Sequence, residues 1–188
     1  MSLISKIICS LYKDDRKKMI NICLNFVKSF QEIIDKQALT KKSNFFEIYF
    51  FIMCIVIRTY FKKRSKMIAE YQVDLFIKEL FYYIWITYIE KNREVATQMF
   101  DISNYILLEN MTMGNLFDIF TNKLTERIEF YSYSIILDMN DKSYKETVKS
   151  FIDLTFGFKL NDSESELLKL ILSKEIISNT IDITEKSI

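Results

Sequence analysis

The residues that could do acid–base chemistry in this chain are carboxylates, because the sequence contains no histidine. Glu126 and Glu129 lie one helical turn apart, and Asp138 and Asp141 lie in a polar segment. The first pair alternates with basic residues, which is typical of a solvated helix face, and the second pair belongs to a predicted loop. A catalytic site needs titratable groups that converge, and neither pair indicates one. We therefore expect a protein that is not an enzyme and has no catalytic residues.

The sequence also contains few residues that could bind a metal or a cofactor. A chain without histidine has no imidazole base, no Ser–His or Cys–His nucleophile pair and no histidine metal ligand. The segment Asp138–Lys142 begins like a calcium-binding loop, but it lacks the glycine of that loop and has Lys149 at the position of its final acid. Two glycines, Gly114 and Gly157, are too few for a phosphate-binding loop. The sequence predicts no metal site and no cofactor.

The three cysteines favour a reducing compartment. Cys9, Cys23 and Cys54 are odd in number and none is spaced as Cys-x-x-Cys, so neither a disulfide framework nor a thiolate zinc site is indicated. Residues 1–12 carry one lysine before a short apolar stretch and have no small-residue cleavage site, which is atypical of a signal peptide. We expect the protein to be cytoplasmic.

Composition predicts the fold class. The 188 residues include no proline and two glycines, and 14 of the 28 aromatic residues lie between Phe45 and Tyr88. Proline and glycine mark turns and breaks, so their scarcity favours long helices. Hydrophobic residues make up 49% of the chain, which is enough for one packed core. We predict a single all-α domain over residues 1–188, with residues 1–12 and 180–188 frayed.

Helix starts are indicated by a short polar residue followed three positions later by glutamate, because the two side chains cap each other's backbone N–H. Three such pairs occur: Asn44 with Glu47, Ser143 with Glu146, and Ser163 with Glu166. At the third helical position, Glu47 is expected near the positive end of the helix dipole and near solvent. With the apolar periodicity, these starts predict about seven helices at 3–39, 44–62, 66–91, 93–109, 116–137, 144–156 and 164–178.

One or two of these helices are expected to be buried and rich in aromatic side chains. The candidates are 44–62, where segment 48–57 is apolar without interruption, and the second half of 66–91, where segment 80–89 is mostly apolar. Each segment has ten residues, whereas a membrane-spanning helix needs about twenty. The sequence therefore predicts a multi-helix bundle built around one or two central helices.

Charge is distributed unevenly along the chain. Residues 1–66 contain fourteen Lys or Arg and five Asp or Glu, a balance of +9, and residues 67–188 contain twelve and twenty, a balance of −8. The basic residues that could contact a partner are Lys41, Lys42, Lys62, Lys63, Arg64 and Lys66. They could bind an anionic partner such as nucleic acid, an anionic membrane surface or an acidic protein patch. They could equally form a solvated corner between two helices.

Aromatic residues with polar tips supply the second candidate site. Tyr82, Tyr83, Trp85 and Tyr88 each need a polar partner if they are buried, so a surplus of them indicates a cleft or an interface. The first functional hypothesis is a non-catalytic helical interaction or regulatory module that binds a protein partner or a second copy of itself. The alternative is a bundle that binds an apolar small molecule or a lipid in an aromatic-lined cavity.

A short motif resembles a known family. The segments that carry it are Met113-Gly114-Asn115-Leu116-Phe117, Phe151-Ile152 and Phe156-Gly157-Phe158. They resemble the glycine-centred motifs of Bcl-2-like bundles, although Asn115 stands where the motif has an arginine and the motif's tryptophans are absent. The resemblance implies a helical bundle whose buried central helix follows Gly114, whereas the sequence there is amphipathic. A shared fold would not by itself assign a function.

Overall fold

The computed structural model describes residues 15–37, 39, 44–64, 66–90, 111–131, 141–157 and 160–188. Within these ranges the chain forms seven α-helices and no strand, which confirms the predicted all-α bundle. The helices are α1 (Asp15–Lys36), α2 (Phe45–Lys63), α3 (Lys66–Ile84), α4 (Met113–Phe130), α5 (Asp141–Phe156), α6 (Asp162–Ile171) and α7 (Ser178–Ser187). A π-helical segment, Trp85–Ile89, continues α3, and another, Leu172–Ile177, joins α6 to α7. The helix predicted at 93–109 lies outside the described residues.

The central element is α2, which contacts α1, α3, α4, α5 and α7. Every residue from Phe46 to Ile57 is buried. A helix that is apolar on every side has no face to turn towards water, so it is stable only when other elements cover its whole circumference. Its aromatic rings hold the neighbours in place: Phe51 stacks on Phe151 of α5, with ring centroids 4.1 Å apart. The prediction of a buried, aromatic-rich central helix is confirmed for α2.

The second predicted central helix is instead a surface helix. Phe81 of α3 packs against Phe117 and Phe120 of α4, with ring centroids 5.3 and 5.2 Å apart. On the same helix Tyr82 and Tyr83 are exposed. Residues 80–89 are apolar all round, yet α3 buries only one side, so among the helices that the structure describes α2 alone is central.

Side-chain caps set several helix starts. Asn44 caps α2 as predicted, although its side chain accepts a hydrogen bond from the N–H of Phe46. The reciprocal box of α6 is formed by Asn161 and Glu164, two residues before the predicted pair. Similarly, α5 begins at Asp141, two residues before the predicted cap. Several short polar residues lie near the starts of α5 and α6, and the local sequence does not determine which of them caps the helix.

The C-terminal segment is helical, although the sequence predicted that it frays. Helix α7 extends to Ser187, and its residues Thr180 and Thr184 are fully buried. Each threonine hydroxyl donates to the carbonyl oxygen four residues earlier at 2.6 Å, so both buried hydroxyls are satisfied. The helix packs on α2 and α1. The prediction of fraying was wrong because the polar composition of this segment concealed one side that covers the central helix.

Among the helices that the structure describes, none is both long enough and apolar enough to traverse a lipid bilayer.

The two glycines allow a matched test of backbone conformation. Gly157 follows α5 with φ +60°, a left-handed conformation that costs an L-residue about 1–2 kcal/mol. We expect Gly157→Ala to lower the free energy of unfolding by about 1 kcal/mol, measured by urea denaturation. Gly114 lies in the first turn of α4, where an added Cβ would meet only the Thr112 hydroxyl at 3.6 Å. Gly114→Ala should leave stability unchanged or raise it, and equal losses in both variants would contradict the assignment.

Candidate functional site

Part of the predicted basic cluster lies at the end of α2, where it forms an ion pair with a buried carboxylate. The Nε atom of Arg64 donates to Oδ2 of Asp15 at 3.1 Å, and its Nη2 lies 3.5 Å from Oδ1. The Tyr60 hydroxyl donates to the same Oδ2 atom at 3.3 Å. Asp15 is buried in the first turn of α1, where the helix dipole also favours a negative charge. This contact fixes the start of α1 against the end of α2.

The same corner binds the end of α7. Lys63 donates through Nζ to the carbonyl oxygen of Glu185, and Arg64 donates through Nη2 to the carbonyl oxygen of Ile188. Lys62 forms an exposed ion pair with the Glu185 carboxylate at 3.7 Å. Cations are stabilised beside the carbonyl groups at a helix C-terminus. We call Asp15, Lys62, Lys63, Arg64 and Glu185 the corner clasp, because they join α1, α2 and α7.

Three residues of the predicted anion-binding site are already engaged in the internal contacts of the corner clasp. Lys62, Lys63 and Arg64 all contact α1 or α7, and Lys66 is the first residue of α3. Lys41 and Lys42 lie outside the described residues, so a continuous basic surface across all six residues stays a prediction. The solvated-corner interpretation also stays a prediction: Lys62 and Lys63 are exposed, whereas Arg64 is partly enclosed by its partners.

Removal of the Arg64 guanidinium should loosen both helices that it joins. We expect Arg64→Leu to lower the free energy of unfolding by about 1–3 kcal/mol, because the buried Asp15 carboxylate loses a charged donor. Amide hydrogen exchange in α7 and in the first turn of α1 should accelerate. Lys62→Ala is the matched control, since an exposed pair contributes about 0–1 kcal/mol. Unchanged exchange in α7 of the Arg64 variant would refute the clasp.

A second buried carboxylate lies at the opposite end of α2. Glu47 is only 3% exposed, so the prediction that it lies near solvent was wrong. Its Oε1 atom accepts from Nε of Arg127 at 2.7 Å and from the Tyr131 hydroxyl at 2.9 Å. Arg127 lies in the last turn of α4 and Tyr131 caps its C-terminus, and α4 packs on α2. Glu47 thus keeps its position in the first helical turn but is compensated by α4 instead of water.

The environment of this cluster favours the protonated forms of Tyr131 and Arg127. Burial raises the pKa of Tyr131, and the nearby Glu47 charge raises it further, so the phenol stays protonated and donates. Burial opposes the charge of Arg127, but the hydrogen bond to Glu47 and the charge of that carboxylate outweigh it and raise the pKa of Arg127. Burial likewise raises the pKa of the Cys54 thiol.

These groups form a structural anchor between α2 and α4. A nucleophile or general base would need a pKa shifted towards neutrality, whereas the shifts at Tyr131, Arg127 and Cys54 all favour protonation. Within the described residues, no three Cys, Asp or Glu side chains come together as metal ligands would. The expectation that the protein is not an enzyme and holds no metal stays a prediction.

A double-mutant cycle can measure the anchor. Tyr131→Phe removes one donor to the buried carboxylate and should cost about 1.5–3 kcal/mol of unfolding free energy. Glu47→Gln should cost more, a few kcal/mol, because it leaves the Arg127 charge uncompensated. In the double variant the two losses should be less than additive by more than about 0.5 kcal/mol. Additive losses in denaturant titrations would show that Tyr131 and Glu47 do not interact.

The remaining candidate site is aromatic and lies on the outer side of α3. Tyr71, Tyr82, Tyr83 and Ile86 have exposed fractions of 40%, 44%, 41% and 57%, and we call these four residues the α3 outer face. Tyr71 and Tyr82 are eleven residues apart, which is three helical turns, so they share one side of the helix. Ile86 follows Tyr82 by one further turn. The face is therefore a stripe along the helix, with Tyr83 beside it.

Three of the predicted aromatic residues divide between this stripe and the core. Tyr82 and Tyr83 belong to the α3 outer face. Trp85 is half-buried, and its ring centroid lies 6.3 Å from that of Phe81. Tyr88 lies in the π-helical segment Trp85–Ile89. Sequence reasoning missed Tyr71 and Ile86, which the spacing of eleven and four residues from Tyr82 would have indicated.

The chain matches no protein-family model, no curated protein and no solved structure. The Bcl-2-like resemblance implies a buried central helix after Gly114. In the described structure α4, which contains Gly114, buries one stripe formed by Leu116, Phe120 and Leu124, and the fully buried helix is α2. This arrangement lends the resemblance no support.

Proposed function

We propose that the protein is a non-catalytic helical interaction module and that the α3 outer face is its contact surface for a protein partner. The observation that carries this proposal is the alignment of Tyr71, Tyr82 and Ile86 in one exposed stripe, with Tyr83 beside it. Four large exposed side chains on one side of a helix differ from the singly scattered apolar residues that need no explanation on a protein surface.

The residue types suit a protein interface. Tyrosine combines a large apolar ring with a polar tip, so it tolerates water in the free protein and contributes to binding when it is covered. The face also lies on a helix whose inner side is anchored by buried Phe76, Leu80 and Phe81. A rigid surface loses little conformational entropy on binding. The π-helical segment at Trp85–Ile89 supports the same assignment, because such segments frequently occur at functional sites.

The alternative hypotheses are less well supported by the described residues. An apolar ligand cavity lined by Tyr82 and Tyr83 would require both rings to point inwards, and both are exposed. Binding of nucleic acid or an anionic membrane through the basic corner would compete with the contacts of Lys63 and Arg64 to α1 and α7. We include a cytoplasmic location in the proposal, since Cys23 and Cys54 are free thiols.

Site-specific photo-crosslinking in the cells that express the protein tests the proposal. A photoreactive phenylalanine analogue at position 86 should yield a discrete crosslinked species, because Ile86 is the most exposed residue of the face. Mass spectrometry then identifies the species as a partner protein or as a second copy of the chain. Tyr82→Ser in the same chain should reduce the yield of this species at least about fivefold, as expected for a residue within the contact.

The control places the same photoreactive group at position 183 of α7, where the native Ile183 is 44% exposed but lies outside the α3 outer face. This position should not give the same species. Equal crosslinking at positions 86 and 183, or a yield that Tyr82→Ser leaves unchanged, would refute the proposed contact surface.

A further inference from the structure

Helix α7 covers the central helix with little apolar side-chain burial of its own. Within Ser178–Ser187 the only buried residues are Thr180 and Thr184, both 0% exposed. The apolar residues of the helix are Ile181, which is half-buried, and Ile183, which is exposed. Apolar burial is the dominant favourable term in folding, so the docking of α7 gains less from it than the docking of a helix that buries several large side chains.

The other helices that contact α2 each bury at least three apolar side chains. The smallest set belongs to α4, with Leu116, Phe120 and Leu124. Helices α1, α3 and α5 bury more, including a phenylalanine in each. Among the described helices that cover α2, α7 therefore gains the least hydrophobic stabilisation from its position.

The two sides of the boundary between α7 and the preceding π-helical segment differ in burial. Ile176 and Ile177, at the end of that segment, are 2% and 1% exposed, so they hold it in the core. Ser178, Asn179 and Thr180 come next, and all three have low intrinsic helix propensity. A change of backbone direction there costs less than it would in a run of strong helix formers. This boundary is a suitable hinge, because hinges are formed by a few residues at the end of an element.

Polar contacts of the corner clasp hold the other end of α7. Lys63 and Arg64 donate to the carbonyl oxygens of Glu185 and Ile188. The two buried threonine hydroxyls donate to carbonyl oxygens of their own helical segment, so these hydrogen bonds do not tie α7 to its neighbours. Loss of the contacts at the end therefore leaves α7 with only its small apolar interface.

We propose that α7 is a releasable cover of α2, which opens about a hinge at residues 178–180 while the rest of the bundle stays folded. Elements that move are drawn from the least stable part of a structure, and α7 has the weakest interface described here. Because α2 is apolar on every side, opening exposes an apolar strip that the closed form conceals. The proposal uses no residue of the α3 outer face, so it stands or falls separately from the proposed contact surface.

Native-state hydrogen exchange of the full chain measures this opening. We expect the amides of residues 181–187 to exchange at least about a hundredfold faster than those of α2. Their exchange should also depend less on urea, because a local opening exposes less surface than global unfolding. These amides should share one opening equilibrium. Protection equal to that of α2, or a gradual loss of protection towards Ser187 as in simple fraying, would refute the releasable cover.

Thiol labelling gives a second measurement. Thr184, Cys23 of α1 and Cys54 of α2 are all 0% exposed, so a thiol at any of these positions reacts only when the structure opens. In Thr184→Cys, iodoacetamide should modify position 184 at least about tenfold faster than Cys23 and Cys54, as determined by peptide mass spectrometry. Equal rates at the three positions would show that α7 opens only together with the bundle.

Valine substitutions test the physical cause. The double variant Thr180→Val, Thr184→Val adds apolar burial to α7 and should slow the exchange of its amides at least about threefold. Thr121→Val, Thr125→Val is the matched control, because these exposed hydroxyls of α4 also donate to carbonyl oxygens of their own helix. It should leave the exchange of α7 unchanged. If the first variant does not slow the exchange of α7, weak apolar burial is not the cause and the proposal fails.

Discussion

The structure depends on the need to cover one helix completely. From Phe46 to Ile57 no side of α2 tolerates water, and the only charged group in that stretch, Glu47, is itself buried. Five other helices contact α2. Much of the amphipathic patterning in the rest of the chain follows from this requirement, because a helix that covers α2 must face the core on one side and solvent on the other.

Polar contacts at the two ends of α2 determine where its neighbours lie along it. Dispersion and hydrophobic contacts are not directional, so an apolar helix alone would allow neighbouring helices to slide. Glu47 fixes α4 at the first end through Arg127 and Tyr131, and Arg64 fixes α1 and α7 just beyond the second end. Buried charges are expensive unless they are paired, which makes alternative alignments costly. The contact surface proposed on the α3 outer face requires helices that keep fixed positions relative to one another.

The sequence predicted the fold class and the central helix because both follow from composition and periodicity, which are local. It placed Asn44 correctly as a helix cap for the same reason. The prediction from sequence failed where contacts between residues far apart in the chain determine the structure. The burial of Glu47 depends on Arg127, eighty residues away, and the order in α7 depends on the covering of α2. For the candidate sites, the local surplus of aromatic residues with polar tips was sufficient to single out Tyr82 and Tyr83, whereas the internal partners of Lys63 and Arg64 had no sequence signal.

The position of α7 in the chain has a consequence for biosynthesis. Lys63 and Glu185, which hold the end of α2 against α7, are separated by 122 positions. Ser178, Asn179 and Thr180, which begin α7, have low intrinsic helix propensity. During translation α2 therefore leaves the ribosome long before the segment that shields it, and its phenylalanines stay accessible to aggregation or to chaperones in that interval.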